Sequence, residues 1–140
     1  MADCIFCKIV KGEIPSFKVY EDDTVFAFAD INPISDGHTL IIPKKHAENI
    51  WEIPADDLAA IHRASKKVAD ALKASLNLDG VAVLQLNGRG VNQVVMHYHL
   101  HLIPHISGNP KFVMTDWELK PGNMDVIRKN AEKIASAIAA

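Results

Sequence analysis

The sequence has few cysteines and no long apolar run. Cys4 and Cys7 are its only two cysteines, and no stretch is long and apolar enough to cross a bilayer. The first four residues lack the basic segment and apolar core of a secretory signal. Structural disulfides are rare in a reducing compartment. We therefore expect a cytoplasmic protein with free or metal-bound thiols and no membrane partner.

The sequence also carries little excess charge of either sign. Lys and Arg number 15 against 17 Asp and Glu, a formal net charge of -2, and no basic block occurs. This balance argues against a nucleic acid or an anionic membrane as the main partner. The length of 140 residues and the 49% apolar content predict one domain over residues 1–140, which needs neither disulfide nor metal to fold.

Local patterns predict both strands and helices. Short β-branched and aromatic runs bounded by turn residues predict five strands, over residues 18–21, 24–31, 38–42, 81–86 and 94–103. Pro54 suits the first turn of a helix, and apolar residues then recur at helical spacing up to Leu76. A second helix is predicted after Asn123. These elements indicate an α+β domain with a five-stranded, mainly antiparallel sheet, one long central helix and a C-terminal helix. The pattern leaves the strand order open.

Three histidines alternate with apolar residues near the end of the last predicted strand. On a strand, His97, His99 and His101 would project to one side, about 6.5–7 Å apart, with Tyr98 and Leu100 on the other. A metal site made from all three is one alternative, but a straight strand does not easily bring them onto one tetrahedral ion. Neutral imidazoles can attack phosphorus and bind phosphoryl oxygens. The run therefore favours nucleotide chemistry with a histidine nucleophile.

The run from His97 to Ile103 resembles the His-x-His-x-His-x-x signature of the histidine triad (HIT) superfamily. Other segments resemble the family in the expected order: CIFCKIV at 4–10, GEIP at 12–15, FADI at 28–31, GHTLIIPKKH at 37–46, and Asn87-Gly88 followed by Gln93. The resemblance covers about residues 3–106 and leaves 107–140 as a C-terminal extension. It is closest to small bacterial-type members of the phosphoramidase-like branch. That branch implies a homodimer whose sheets join edge to edge.

The resemblance implies a role for each matching residue. His99 would attack the α-phosphorus of a nucleoside phosphoramidate or related purine nucleotide, and water would then hydrolyse the nucleotidyl-histidine. His101 and His38 would contact the phosphoryl oxygens and the leaving group, with His97 completing the catalytic set. The implied nucleotide contacts, besides His99 and His101, are Phe6, Phe28, Asp30, Ile31, Asn87 and Gln93. Taken singly, Phe28 and Ile31 are equally typical of a strand core, and Asp30 of a turn cap.

The Cys4–Cys7 pair is a CxxC motif, which by itself is a weak signal for a metal site. A thioredoxin-like role is not expected, because no preceding strand presents the pair at the start of a helix. Some bacterial relatives hold zinc with this pair, the histidine that ends Pro-Lys-Lys-His, and the first triad histidine. The resemblance therefore implies a structural Zn²⁺ bound by Cys4, Cys7, His46 and His97.

The sequence departs from the family pattern at three places. Val91-Asn92 replaces the common Ala-Gly, and asparagine tolerates the left-handed backbone that this turn needs. Val94 replaces a serine or threonine that offers a hydroxyl to the phosphate or leaving group. His105 replaces a common arginine. These changes leave open a dinucleoside polyphosphate hydrolase, a nucleotidyltransferase or a nucleotide-binding regulatory module. Trp117 is interpreted either as a substrate wall or as a hydrophobic anchor.

Overall fold

The computed structural model describes residues 3–112 and 118–140. Its helices and strands, in chain order, are α1 (Ile5–Val10), β1 (Lys18–Glu21), β2 (Val25–Ala29), β3 (Thr39–Pro43), α2 (Ala55–Ser75), β4 (Leu78–Gln85), β5 (Leu100–Ile106) and α3 (Met124–Ala139). The strands form one sheet in the order β1-β2-β3-β5-β4, and all neighbouring pairs are antiparallel. The predicted α+β fold with a five-stranded antiparallel sheet is confirmed.

One face of the sheet packs against the long helix α2. Ala27, Ile41 and Leu100 lie opposite one another across β2, β3 and β5, so their side chains point to the same face. They are buried in one apolar cluster with Ile61 and Val68 of α2. This face forms the main core.

The opposite face carries the histidine chemistry. Phe28 pairs with Leu40, and Leu40 pairs with His101, which places these three side chains on this second face. Phe6 and Ile9 of α1 pack against the apolar part of the face, in a cluster with Phe28 and Leu40. The short N-terminal helix therefore covers the sheet beside His101.

Helix α1 was not expected from the sequence. Cys4 caps it, because the Cys4 Sγ accepts a hydrogen bond from the Cys7 N–H at 3.4 Å. Six residues are too few to display helical periodicity, and cysteine is not among the preferred caps. The CxxC pair thus lies at the start of a helix, and no strand precedes it in the described part of the chain.

The strand predicted over residues 94–103 is wrong in its first half. β5 begins only at Leu100, and the preceding backbone bonds to loops instead of to a neighbouring strand. The Tyr98 N–H donates to the Ala47 carbonyl at 2.7 Å, and the Gln93 side-chain amide donates to the Val95 carbonyl at 3.1 Å. The three histidines therefore do not lie on one straight strand.

A tight turn before His38 joins the loop after β2 to the rest of the fold. Gly37 has φ +89°, and a Cβ at this position would approach Leu76 Cδ1 to 2.7 Å and Pro104 Cγ to 3.2 Å. The left-handed backbone and the close packing both require glycine. The Ser35 hydroxyl also donates to the Pro104 carbonyl. These contacts fix the position of His38 on the second face of the sheet.

The predicted C-terminal helix is present as α3. Asn123 caps it by accepting hydrogen bonds from the N–H groups of Asp125 and Val126 at 3.0 and 3.1 Å. Its side chains are exposed along its length. Trp117 lies outside the described residues. Within residues 3–112 and 118–140, no helix has both the length and the apolar character that a membrane span needs.

Candidate active site and metal centre

His99 lies immediately before β5, with its ring buried and held by the backbone. Its Nδ1–H donates to the His97 carbonyl at 2.7 Å. Because a neutral imidazole carries one proton, the Nε2 of His99 then has a free lone pair. The His101 ring lies beside it, with the ring centroids 4.9 Å apart. His99 therefore has the tautomer that a nucleophile needs.

His38 and His101 form a directed chain of hydrogen bonds. The Ile34 N–H donates to His38 Nδ1 at 3.1 Å, so the proton of neutral His38 is on Nε2. That Nε2–H lies 3.0 Å from His101 Nδ1 and donates to it. The proton of His101 is consequently on its own Nε2. These hydrogen bonds leave His101 with an N–H donor on Nε2, the nitrogen that does not bond to His38.

Burial keeps these histidines neutral at physiological pH. Burial, together with the neighbouring His99 and His38, lowers the pKa of His101 to about 4. Burial also lowers the pKa of His38 and of His99, although the charge of Asp30 opposes the shift in both. Neutral rings can attack phosphorus and donate hydrogen bonds without electrostatic repulsion among themselves.

The residues implied as ribose and base contacts surround the histidines in different ways. Asp30 Oδ1 accepts the Asn32 N–H at 2.8 Å, while Oδ2 lies 3.5 Å from His38 Nε2. Asp30 is thus a turn cap whose second oxygen faces the histidine cluster. Phe28 is buried in the core, whereas the Ile31 side chain is 76% exposed. Ile31 is therefore available as an apolar contact surface, and core packing does not account for it.

The side-chain amides of Asn87 and Gln93 bond to the protein's own backbone. Asn87 Oδ1 accepts the Ile50 N–H at 2.7 Å. Gln93 is buried, where its Oε1 accepts the Gly88 N–H at 2.7 Å and its Nε2 donates to the Glu48 carbonyl at 2.6 Å. Both amides hold loops together beside the triad, and direct nucleotide contact by them stays a prediction.

The three departures from the family pattern lie outside the hydrogen-bonded histidine chain. Asn92 has φ +68°, so it adopts the left-handed backbone conformation that asparagine was expected to tolerate in this turn. The Val94 side chain is 79% exposed. His105 Nδ1 lies 2.5 Å from Asp79 Oδ1, and its Nε2 faces the Asn109 carbonyl at 3.1 Å. The hydrogen bond with Asp79 raises the pKa of His105.

The ring of His97 points away from the hydrogen-bonded His38 and His101 and toward the two thiols. Its Nε2–H donates to the Pro43 carbonyl at 2.8 Å, which leaves the Nδ1 lone pair free. That Nδ1 lies 3.3 Å from Cys4 Sγ and 3.6 Å from Cys7 Sγ. His46 Nδ1 is 3.3 Å from Cys7 Sγ. The four candidate ligand atoms all lie within 4.8 Å of one another.

The Cys4, Cys7, His46 and His97 cluster fits a tetrahedral zinc ion. Zinc–sulfur and zinc–nitrogen bonds of about 2.3 and 2.0–2.1 Å place sulfur and nitrogen ligands roughly 3.5 Å apart. The measured sulfur–nitrogen separations of 3.3 to 3.6 Å match that edge. His97 is buried and its pKa falls to about 4, which keeps its ring in the neutral form that binds metal.

Asp30, His38 and His101 form a second group whose ligand atoms lie within 4.8 Å of one another. The hydrogen bond from the Ile34 N–H to His38 Nδ1 places the His38 proton on Nε2, the nitrogen that faces the group. A protonated nitrogen is a donor and not a metal ligand. An internal hydrogen bond from His38 to His101 therefore holds this group together, and its geometry does not favour a second metal centre.

The five-stranded antiparallel fold and the three histidines at positions 97, 99 and 101 define a histidine triad protein. Residues 11–108 match the family model of the HIT domain, and the chain belongs to the HIT family. An uncharacterised HIT-like protein of Methanocaldococcus jannaschii is 45% identical over 126 residues, 90% of this chain and 96% of that protein. An adenosine 5'-monophosphoramidase of Candida albicans is 42% identical over 142 residues, 99% of this chain and 93% of that enzyme.

Solved structures of the family share the whole fold. A histidine triad nucleotide-binding protein from Candida albicans superposes with a TM-score of 0.87 at 42% identity, covering 98% of each chain. The resemblance inferred from the sequence motifs is thereby confirmed. The family includes hydrolases, of which the phosphoramidase relative is one.

Burial of His101 predicts a pH-dependent stability. A histidine in the unfolded chain titrates near 6.5, whereas folded His101 has a pKa of about 4. Between these values the unfolded chain binds more protons, so this contribution is complete above pH 6.5 and is lost as the pH falls toward 4. After solvent screening, we expect His101→Asn to remove on the order of 1 kcal/mol of this pH dependence.

Urea unfolding at about pH 4.5 and about pH 7.5 measures the effect as a change in the free energy of unfolding. His62→Asn removes an exposed imidazole on α2 and should keep the wild-type pH dependence. If the free energy of unfolding depended equally on pH in wild type and His101→Asn, the assignment of this pH dependence to buried His101 would be contradicted.

Proposed function

We propose that the protein is a nucleoside phosphoramidase that attacks the α-phosphate of a purine nucleotide through His99. The hydrogen bond from His99 Nδ1–H to the His97 carbonyl carries this proposal, because it directs a free Nε2 lone pair away from the backbone. The 42% identity with a phosphoramidase over 99% of the chain supports the same substrate class.

The reaction proceeds in two displacements. His99 Nε2 attacks the α-phosphorus, the phosphorus–nitrogen bond breaks, and the amine leaves with the bonding electron pair. Val94 has no hydroxyl to donate, so we assign protonation of the amine to solvent water. A second water then attacks phosphorus, the bond between phosphorus and His99 Nε2 breaks, and the proton lost by this water neutralises the hydroxide left by the first. This step releases the nucleoside 5'-monophosphate and regenerates His99. The His101 Nε2–H donates to a phosphoryl oxygen in both steps, where charge develops.

The residues that we assign to the ribose and base come from α1, β2 and the loop after β2. Asp30 Oδ2 would accept hydrogen bonds from the ribose hydroxyls, and the exposed Ile31 would pack against the base. Phe28 and Phe6, whose ring centroids are 5.4 Å apart, would support the base pocket from beneath. A purine offers more apolar area to such a wall than a pyrimidine does.

His99→Ala should lower the turnover of adenosine phosphoramidate by several orders of magnitude while nucleotide binding is retained, because the nucleophile is lost and the pocket is not. His62→Ala, on the exposed surface of α2, is the matched control and should keep wild-type turnover. The assay measures AMP release from adenylyl and guanylyl phosphoramidates, dinucleoside polyphosphates and nucleotide sugars. An unchanged rate in His99→Ala would rule out the nucleophile, and binding without turnover in wild type would favour a regulatory module.

We further propose that Cys4, Cys7, His46 and His97 hold a structural Zn²⁺. Two thiolates and two imidazoles make a closed set with no position for substrate. When bound, the ion would tie α1 to the loop before β5 and fix the ring of His97. Burial and the neighbouring Cys4 raise the pKa of the Cys7 thiol, and a cation would offset that shift. Reduced thiols are required, which supports a cytoplasmic location.

Elemental analysis of protein purified without chelator should give about one zinc ion per chain. The double variant Cys4→Ser with Cys7→Ser should contain almost none, since hydroxyls replace both thiolates. His62→Ala should keep the full metal content, because that histidine lies on the surface of α2 away from the cluster. A wild-type preparation without stoichiometric metal would overturn the zinc assignment.

The open edge of β4 supports a homodimer. β4 is an outer strand of the sheet, and Val81 and Val83 on it are 36% and 54% exposed. They alternate along the strand with residues of the opposite face, so they form an apolar stripe. Outer strands that avoid pairing are usually short or carry proline or charged residues, lysine above all. β4 has eight residues, no lysine or proline, and one charged residue, Asp79, which bonds to His105. We propose that a second copy pairs along β4.

Val83→Lys should convert the dimer to a monomer, because a lysine on the paired edge would be buried without a partner. Val19→Lys is the matched control, since Val19 is 50% exposed on β1, the other outer strand. Light scattering coupled to size exclusion would give twice the 15.4 kDa chain mass for wild type and Val19→Lys. A monomeric wild type, or a dimeric Val83→Lys, would contradict the proposed interface.

A further inference from the structure

His97 takes part in both the thiol cluster and the active site. Its ring is held at each nitrogen, with Nε2–H bonded to the Pro43 carbonyl at 2.8 Å and Nδ1 at 3.3 Å from Cys4 Sγ. Its backbone carbonyl accepts the Nδ1–H of His99 at 2.7 Å. A displacement of the His97 ring would therefore be passed to the group that sets the tautomer and orientation of His99.

Phe6 makes a second connection between the two sites. It lies on α1 between Cys4 and Cys7, and its side chain is only 6% exposed. The centroid of its ring lies 5.8 Å from that of His97 and 5.2 Å from that of His99. The Phe6 ring plane is nearly perpendicular to both imidazole planes. The same ring contacts Phe28 at 5.4 Å. One aromatic ring therefore touches a residue of the thiol cluster, the proposed nucleophile and the proposed base pocket.

Helix α1 depends on these contacts for its position. A helix of six residues is too short to be stable by itself in water, so α1 is held by Phe6 and Ile9 in the apolar cluster and by its two thiols. A metal ion that joins the thiols to His46 and His97 would restrain α1 at its first turn. The restraint would reach Phe6, which lies between the two thiols.

We propose that Phe6 and His97 couple the thiol cluster to the nucleotide pocket, so that a divalent metal in the cluster and a nucleoside monophosphate in the pocket each raise the affinity of the other. This inference rests on the proposed function and on the proposed metal site. Each ligand restrains the shared Phe6–His97 contact, so the ligand that binds second pays less ordering entropy. The coupling is reciprocal, because the two binding free energies belong to one thermodynamic cycle.

The test measures metal affinity and nucleotide affinity separately, and it does not depend on turnover. Co²⁺ replaces zinc as the probe, because its thiolate absorption reports occupancy of the cluster, and a metal buffer controls free Co²⁺. AMP is the nucleotide probe, and calorimetry gives its affinity with and without metal. We expect saturating AMP to tighten Co²⁺ binding by about 5–10-fold, and Co²⁺ to tighten AMP binding by the same factor.

Phe6→Leu should bring the coupling close to unity while both ligands still bind. It removes the aromatic contacts with His97 and His99 and keeps an apolar side chain. Phe26→Leu is the matched control, because Phe26 belongs to the same buried cluster and contacts Phe28 at 6.0 Å between centroids. In the described part of the chain, the ring packed against these two histidines is that of Phe6 and not that of Phe26. Phe26→Leu should therefore keep the wild-type coupling at similar thermal stability.

Each other outcome has a distinct meaning. A wild-type protein that binds both probes with independent affinities would overturn the coupling, even if Phe6→Leu failed to fold. Full coupling in Phe6→Leu would overturn the route through Phe6. Absence of AMP binding would refute the proposed function, absence of Co²⁺ binding would refute the proposed metal site, and either result would also overturn this inference.

Discussion

The hydrogen bond from His99 Nδ1–H to the His97 carbonyl is the interaction on which the proposed chemistry depends. It selects one tautomer of His99, and only that tautomer places a lone pair on Nε2. The carbonyl itself is held in place because the His97 ring is anchored by Pro43 on one side and faces the thiols on the other. A single residue thus gives its backbone to one site and its side chain to the other. The two sites are consequently not independent parts of the fold.

Burial and backbone donors together decide where the protons of the histidines lie. The Ile34 N–H begins a chain in which His38 donates to His101, and His101 retains a donor hydrogen on its Nε2. The chain keeps this direction only while both rings are neutral, and burial satisfies that condition by lowering the pKa of each ring. A nucleotide phosphate would therefore meet one lone pair from His99 and one donor from His101. That pairing suits nucleophilic attack on phosphorus better than it suits tight anion binding, which favours charged imidazolium groups.

The sequence predicted the parts of the fold that depend on side-chain pattern. The long helix and the shorter strands were found because apolar periodicity extends through each of them. The strand at 94–103 was overextended, since alternating histidines and apolar residues imitate a strand while the Tyr98 N–H bonds to Ala47. The six-residue helix α1 was missed because it is shorter than two turns. The backbone partners at Ile34 and Pro43 could not be predicted at all, because every residue type offers an amide or a carbonyl and only the fold decides which one faces a histidine.

The three departures from the family pattern lie apart from the groups that carry the proposed chemical step. Asn92 keeps the left-handed turn, Val94 is exposed beside it, and His105 bonds to Asp79 on the neighbouring strand. All three lie outside the hydrogen bonds that orient His99 and His101. In the proposed reaction, Val94 would offer the leaving group no hydrogen bond, because valine has no hydroxyl, and the hydrogen bond that orients His99 would be unaffected. The proposed attack of His99 on phosphorus therefore does not depend on these three positions, which in this proposal bear only on the amine or phosphate that leaves.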